Sequence, residues 1–145
     1  MLIDELKNIA RNNGIVGAGG AGFPAYAKMT EKADTVILNC VECEPLLKLH
    51  RQLLATHTEE IIQMLDEVRE SFGAKEAVIG IKSEYVTTIK AIEEVIGDFP
   101  NVRICALKAA YPMGDEVVLI YEATGRVIKP GGLPIDENVV VYNVE

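Results

Sequence analysis

Four short apolar runs set the terms for this chain. Thr35–Leu38, Ala77–Ile81, Asn101–Leu107 and Asn138–Tyr142 read as strands, each separated from the next by enough residues for a helix. A chain that leaves one strand, crosses as a helix and enters the next pairs its strands in parallel, with a right-handed connection. The expected class is α/β, a three-layer Rossmann-like domain. Its mostly parallel sheet has about four strands flanked by helices, with a glycine-rich loop after an N-terminal helix.

The segments between the runs carry helix signals. Leu2, Leu6, Ile9 and Ala10 have helical spacing around Asp4–Asn12, and Gly14 ends that helix. Pro45–Phe72 is expected to be mostly helical and broken near Thr56. There Thr56 fits an N-cap with Glu59 reaching back to it, and Gly73 supplies the stop. Ser83 is placed to cap the helix that carries Val86, Ile89, Ile92 and Ile96. Gly114–Thr124 reads as a helix closed by Gly125, and Gly131-Gly132-Leu133-Pro134 as a turn. Leu46, Leu47, Leu49, Leu53 and Leu54 read as helix-packing residues, and His50 and His57 as surface positions.

Composition narrows the function classes. At 145 residues the chain fits one domain, and 49% hydrophobic with 25% charged residues is an ordinary globular mix. Net charge is −8, with no basic cluster, so phosphate-backbone recognition of nucleic acid is set aside. No apolar run reaches the roughly 18–20 residues of a membrane span. The first residues lack the basic and apolar regions of a signal peptide, so the expected place is the cytoplasm. In that compartment Cys40, Cys43 and Cys105 read as free thiols rather than a disulfide framework.

Four groups of residues could carry chemistry. Gly17-Ala18-Gly19-Gly20-Ala21-Gly22-Phe23-Pro24 removes Cβ atoms where successive amides can cradle an anion. Gly17, Gly19 and Gly22 match a dinucleotide fingerprint, but an ordinary one needs a strand before it and a helix opening inside it. Here a helix precedes and Phe23-Pro24 follows, which favours another kind of phosphate loop over a plain turn. Lys28 could add a point charge. Asn39-Cys40-Val41-Glu42-Cys43-Glu44-Pro45 lies past the first strand and offers an amide and two carboxylates to hydroxyls or ring N–H groups. Tyr111-Pro112-Met113-Gly114-Asp115-Glu116 follows the third strand and opens a helix, where its acids also suit the helix dipole. Asn143 ends the last strand.

In a parallel sheet these groups converge on one rim, where open α/β sheets bind ligands. A ligand with a phosphate and a body rich in hydroxyl and N–H groups would fit, and flavin mononucleotide (FMN) is one. The Cys40/Cys43 pair admits other readings. A structural zinc site lacks a second ligand pair, and an iron–sulfur cluster lacks a fourth thiolate. A thiol redox pair would have Glu42 and Glu44 working against its thiolate. No metal site is expected.

These motifs, with Gly131-Gly132-Leu133-Pro134 and Asn143-Val144-Glu145, resemble the flavin-binding domain of RnfC-type electron-transport subunits, in order and over nearly the whole chain. That family is similar to the NADH-oxidising flavoprotein subunit of respiratory complex I. The Glu-Cys-Glu-Pro and Gly-Gly-Leu-Pro forms look like the RnfC branch.

The resemblance implies a single FMN/NADH-binding-type domain over residues 1–145. Such a domain accepts hydride from NADH for relay to an iron–sulfur partner domain or subunit. It implies FMN phosphate and ribityl contacts at Gly17, Gly19, Gly20, Gly22 and Lys28, and a flavin lining of Asn39, Glu42, Tyr111, Gly114, Asp115 and Asn143. Phe23, Glu44 and Glu116 would serve the nicotinamide dinucleotide. It also implies a cytoplasmic domain, including at the cytoplasmic face of a membrane complex. Val41 stands where complex I proteins carry an acid, and Asp115 where they carry Glu. Full RnfC proteins continue into ferredoxin-type cysteines, so this chain is expected to be an excised domain or a short homologue dependent on a partner. The alternative reading is a non-catalytic docking module of an electron-transfer complex that has lost flavin or NADH binding.

Overall fold

The computed structural model describes residues 1–17, 22–42, 44 and 46–145. In chain order it runs α1 (Ile3–Asn12), a 3₁₀ turn (Ala25–Lys28), β1 (Thr35–Cys40), α2 (Leu49–Thr56) and α3 (Thr58–Phe72). After these come β2 (Glu76–Lys82), α4 (Val86–Val95), a second 3₁₀ turn (Ile96–Asp98), β3 (Val102–Leu107), α5 (Glu116–Thr124), a third 3₁₀ turn (Pro134–Glu137) and β4 (Val139–Asn143). All four strands are parallel, in the order β3-β2-β1-β4. The expected α/β class and parallel sheet are therefore the observed ones.

Alternation along the strands makes three layers. Val36, Leu38 and Cys40 of β1, with Ala77, Ile79 and Ile81 of β2, join a core that includes Leu6, Leu54, Ile62, Phe72 and Ile92 from α1 to α4. Ile37 and Val78 face the other way, into a second cluster with Leu119, Ile120 and Ala123 of α5. Successive side chains of a strand point to opposite faces, so β1 and β2 are buried on both sides and read as continuous apolar runs. Gly80 lies where α5 comes closest. A Cβ there would stand 2.6 Å from Leu119 Cδ1.

Several local expectations are corrected. The break between α2 and α3 falls at His57, and no side chain caps α3. The buried Thr58 instead donates its hydroxyl to Leu54 O at 2.7 Å, so it ties α3 to the end of α2 in place of a Thr56–Glu59 box. Ser83 does not cap α4. Its N–H donates to Leu107 O at 2.8 Å, which prolongs the β2–β3 ladder, and Tyr85 precedes the helix. Of these five leucines only Leu54 is buried, and Leu53 is half-buried. Leu46, 92% exposed, and Leu47 and Leu49 face outward, because α2 begins only at Leu49 and the stretch before it lies on the surface. Gly73 and Gly125 do close their helices, both in the left-handed region.

Candidate functional site

Parallel pairing puts the exits of all four strands on one rim, and hydrogen bonds tie those exits together. The β1 exit is held by Asn39. Its Nδ2 donates to Gly114 O at 3.3 Å and its Oδ1 accepts the Val41 N–H at 3.0 Å. Asn143, the last residue of β4, is the register partner of Asn39. At the β2 exit Lys82 donates its ammonium to Glu42 O at 2.6 Å.

Glu42 is 6% exposed. Its Oε1 accepts the His50 N–H at 3.0 Å in the first turn of α2, where free N–H groups and the helix dipole favour a carboxylate. Its Oε2 is buried with no hydrogen-bond partner among the described residues. Burying an acceptor unpaired costs about 1–3 kcal/mol, more when it is charged, so a donor brought to this oxygen would relieve that cost.

The other predicted residues are placed less uniformly. Helix α5 starts at Glu116, not Gly114, and Asp115 is its N-cap, with its carboxylate accepting from the Val117 N–H at 3.0 Å. The acid there serves the helix, as the dipole argument anticipated. Tyr111, 85% exposed, and Glu44 both face solvent. Gly19, Gly20, Cys43 and Pro45 lie outside the described residues.

The glycine loop is closed at its base. Val16 and Pro24 form an antiparallel bridge, and Gly17 donates its N–H to Phe23 O at 3.0 Å. Gly22 has a φ of 69°, a left-handed conformation that a side chain would strain. The turn that follows packs against the end of β4. Tyr142 donates its hydroxyl to Ala25 O at 3.2 Å, and Lys28 donates its ammonium to Val141 O at 3.1 Å. The loop base and the β4 exit are therefore neighbours.

A cavity of about 450 Å³ opens along β4, and its lining includes Phe23, Lys28, Glu116, Leu133 and Ile135. It brings together Phe23, Lys28 and Glu116, three residues from two motifs. The Lys28 ammonium lies 5.8 Å from the Phe23 ring centre and 5.7 Å from that of Tyr142. In the sequence Leu133 reads only as part of a turn, and Ile135 as its sequel. The one signal for them is the Gly-Gly-Leu-Pro form, which carries no chemistry by itself. Lys82 gives no signal, since a lone lysine at a strand end reads as solvated.

His50 corrects its reading as a surface residue. Its side chain is 11% exposed and its Nε2 lies 3.0 Å from Glu145 Oε1. Charged neighbours in sequence suggest exposure, but the end of β4 folds over it. The thiol of Cys40 is pushed up to about 12 by burial and by the charge of Glu42, so it stays protonated at neutral pH. That argues against a thiolate at this cysteine. Among the described residues no group of acidic, histidine and cysteine side chains could hold a metal ion. None of the described helices is long and apolar enough to cross a membrane.

The model of the Nuo51 FMN-binding domain family matches residues 10–145. The chain belongs to this family of FMN-binding domains. It is 39% identical over 140 residues to the cobalamin reductase PduS of Citrobacter freundii, covering 97% of this chain and 31% of that protein. With one component of the Na⁺-translocating ferredoxin:NAD⁺ oxidoreductase complex of Acetobacterium woodii it shares 37% identity over 145 residues, 97% of this chain and 33% of the relative. Among solved structures, an NAD⁺-reducing [NiFe]-hydrogenase in the air-oxidised state superposes with a TM-score of 0.80 at 25% identity, over 98% of this chain and 28% of that one. The chain thus spans about a third of the length of these two curated relatives. This FMN-binding domain is of the kind found in electron-transfer oxidoreductases, with RnfC-type and complex I-type relatives.

The described residues fit FMN. The unpaired, buried Glu42 Oε2 can accept from a hydroxyl or ring N–H, and Lys28, with one N–H on Val141 O, keeps two further donors for a phosphate. Val41 lies at the β1 exit. It is buried in the α5-side cluster with Ile37 and Leu119, where a carboxylate would lose its hydration.

Proposed function

We propose that residues 1–145 form one domain that holds FMN on the carboxyl-terminal rim and accepts hydride from NADH for delivery to an iron–sulfur partner. One observation carries this reading most. The base of the glycine loop is packed on the exit of β4, beside the exit of β1 that carries Asn39 and Glu42. An anion cradle and a rim of hydrogen-bonding side chains then serve one ligand. Bound FMN supplies the chemistry of taking two electrons from a hydride donor and releasing them singly.

In this reading Gly17, Gly19, Gly20, Gly22 and Lys28 hold the phosphate and ribityl chain. Asn39, Glu42, Tyr111, Gly114, Asp115 and Asn143 line the flavin. Phe23, Glu44 and Glu116 serve the nicotinamide nucleotide, and the cavity shared by Phe23 and Glu116 supports that grouping. Asn39 and Asp115 act mainly by fixing backbone, since Asn39 Nδ2 and Oδ1 and Asp115 Oδ1 are already bonded within the chain. A peripheral position at the cytoplasmic face of a membrane complex belongs to the same proposal, in line with the ion-translocating complex named for the Acetobacterium woodii relative.

Titration with FMN followed by flavin fluorescence, then anaerobic addition of NADH, tests it. Saturable uptake and bleaching of the flavin absorbance are expected. The buried Val41 supports a second reading, a docking module without NADH chemistry, and FMN uptake with no bleaching by NADH would favour it. Absence of FMN uptake at saturation would overturn the proposal.

A further inference from the structure

One run of linked groups at the rim extends Glu42 to two residues with no role assigned so far. Glu42 accepts the His50 N–H through Oε1, and His50 in turn meets Glu145 through Nε2, both at 3.0 Å. These contacts link the exit of β1, the first turn of α2 and the residues after β4. All three side chains are largely withdrawn from water, with that of Glu145 at 22% exposure. Nε2 is the ring nitrogen that stands against the Glu145 carboxylate. His50 Nδ1 then faces inward, buried and without a partner among the described residues, like Glu42 Oε2.

The geometry of a carboxylate gives this arrangement a consequence. Once Oε1 is pinned to the His50 N–H, the direction of Oε2 is set, and what pins His50 also aims the free oxygen. The His50 backbone is anchored on one side by helix α2 and on the other by its imidazole on Glu145. Loss of the imidazole contact releases the first turn of α2, a helix of only eight residues with no other side-chain cap among the described residues. A short helix depends on its termini and packing more than on propensity.

We propose that His50 and Glu145 are positioning residues that aim the unpaired Glu42 oxygen at the bound flavin. This rests on the FMN reading above and adds two residues to it. Neither residue touches the flavin in this scheme. Both act through Glu42, so their loss alters cofactor affinity and potential while the glycine loop stays intact.

The test compares FMN dissociation constants, flavin midpoint potentials and apo-protein unfolding for the wild type, His50→Leu, Glu145→Ala and Glu145→Gln. His50→Leu and Glu145→Ala are expected to weaken FMN binding about tenfold, the size of one charge-assisted hydrogen bond lost. Both are expected to raise the midpoint potential, because a displaced carboxylate no longer disfavours an electron-rich flavin. Glu145→Gln keeps an oxygen able to stand against Nε2 and is expected to stay within about twofold of wild type. Unchanged affinity and potential with only a lower unfolding temperature would show a purely structural role and overturn the inference. Should His50→Leu fail to fold, the Glu145→Ala and Glu145→Gln pair decides alone. A wild type that takes up no FMN would overturn the FMN reading and this inference together, whereas wild-type uptake with indifferent variants overturns only the inference.

Discussion

Asn39 and Gly114 stand 75 positions apart in the chain and are joined by one hydrogen bond, Nδ2 to carbonyl oxygen, at 3.3 Å. The same amide accepts the Val41 N–H at 3.0 Å. An asparagine does both because it carries a donor and an acceptor on one planar group. The bond fixes the β1 exit against the lead-in to α5, and so sets the width of the rim between them.

Asn39→Asp separates the two halves of that role. The carboxylate keeps the Val41 contact but presents an oxygen to the Gly114 carbonyl. Stability is expected to fall by about 1–3 kcal/mol, the cost of a partly buried acceptor left without a donor. Urea unfolding of the two proteins measures it, and equal midpoints would show that the link carries no weight.

Asp115 is the cap of α5, the helix that covers the second face of the sheet. Asp115→Ala is expected to destabilise the fold by about 0.5–2 kcal/mol, and Asp115→Asn by much less. Hydrogen exchange gives a local readout, because the Val117 and Val118 amides that the carboxylate accepts from should exchange faster in the alanine variant.

Gly80 admits α5 to the sheet. In Gly80→Val the new side chain would overlap Leu119, whose Cδ1 lies 2.6 Å from an ideal Cβ. Overpacking of this kind costs about 1–3 kcal/mol. Adding Leu119→Ala should return part of the loss, and a double-mutant cycle by thermal unfolding reads the coupling.

Asp34 gives the fold an acid-sensitive contact at the start of β1. Burial works against its charge. The bonds from Arg126 (2.6 Å) and Thr35 (2.8 Å), with the charges of Arg126 and Lys75, outweigh it and hold the carboxyl below its ordinary value. A folded-state value below the unfolded one adds stability that is complete above the unfolded value and disappears as pH falls through the folded one. Asp34→Asn should therefore be less stable than wild type at neutral pH and converge with it in the acid range. Chemical unfolding across that range checks the convergence, and a constant gap would remove the ionic account.

Much of the architecture was legible in the residues. The double burial of β1 and β2 writes itself as unbroken apolar runs, and Gly73 and Gly125 mark helix ends because few other residues accept the left-handed turn. The caps were less legible. Thr56 and Ser83 fit local templates, yet His57 and Tyr85 hold those positions, since a cap is settled by where the chain arrives and not by residue type alone. The site divides the same way: the motifs at 17–24, 39–45 and 111–116 announced themselves, whereas Leu133, Lys82 and Glu145 did not.

By itself the sequence determined the α/β class, the parallel sheet and the family, because period, glycine placement and motif order are local properties of a chain. The tertiary structure decided which polar atoms remain free. It bonded Asn39 to Gly114, turned Asp115 into a helix cap, buried His50 against Glu145 and left one oxygen of Glu42 without a partner among the described residues. Hydrogen bonding is satisfied between groups far apart in sequence, so only the folded chain reveals what is left over for a ligand.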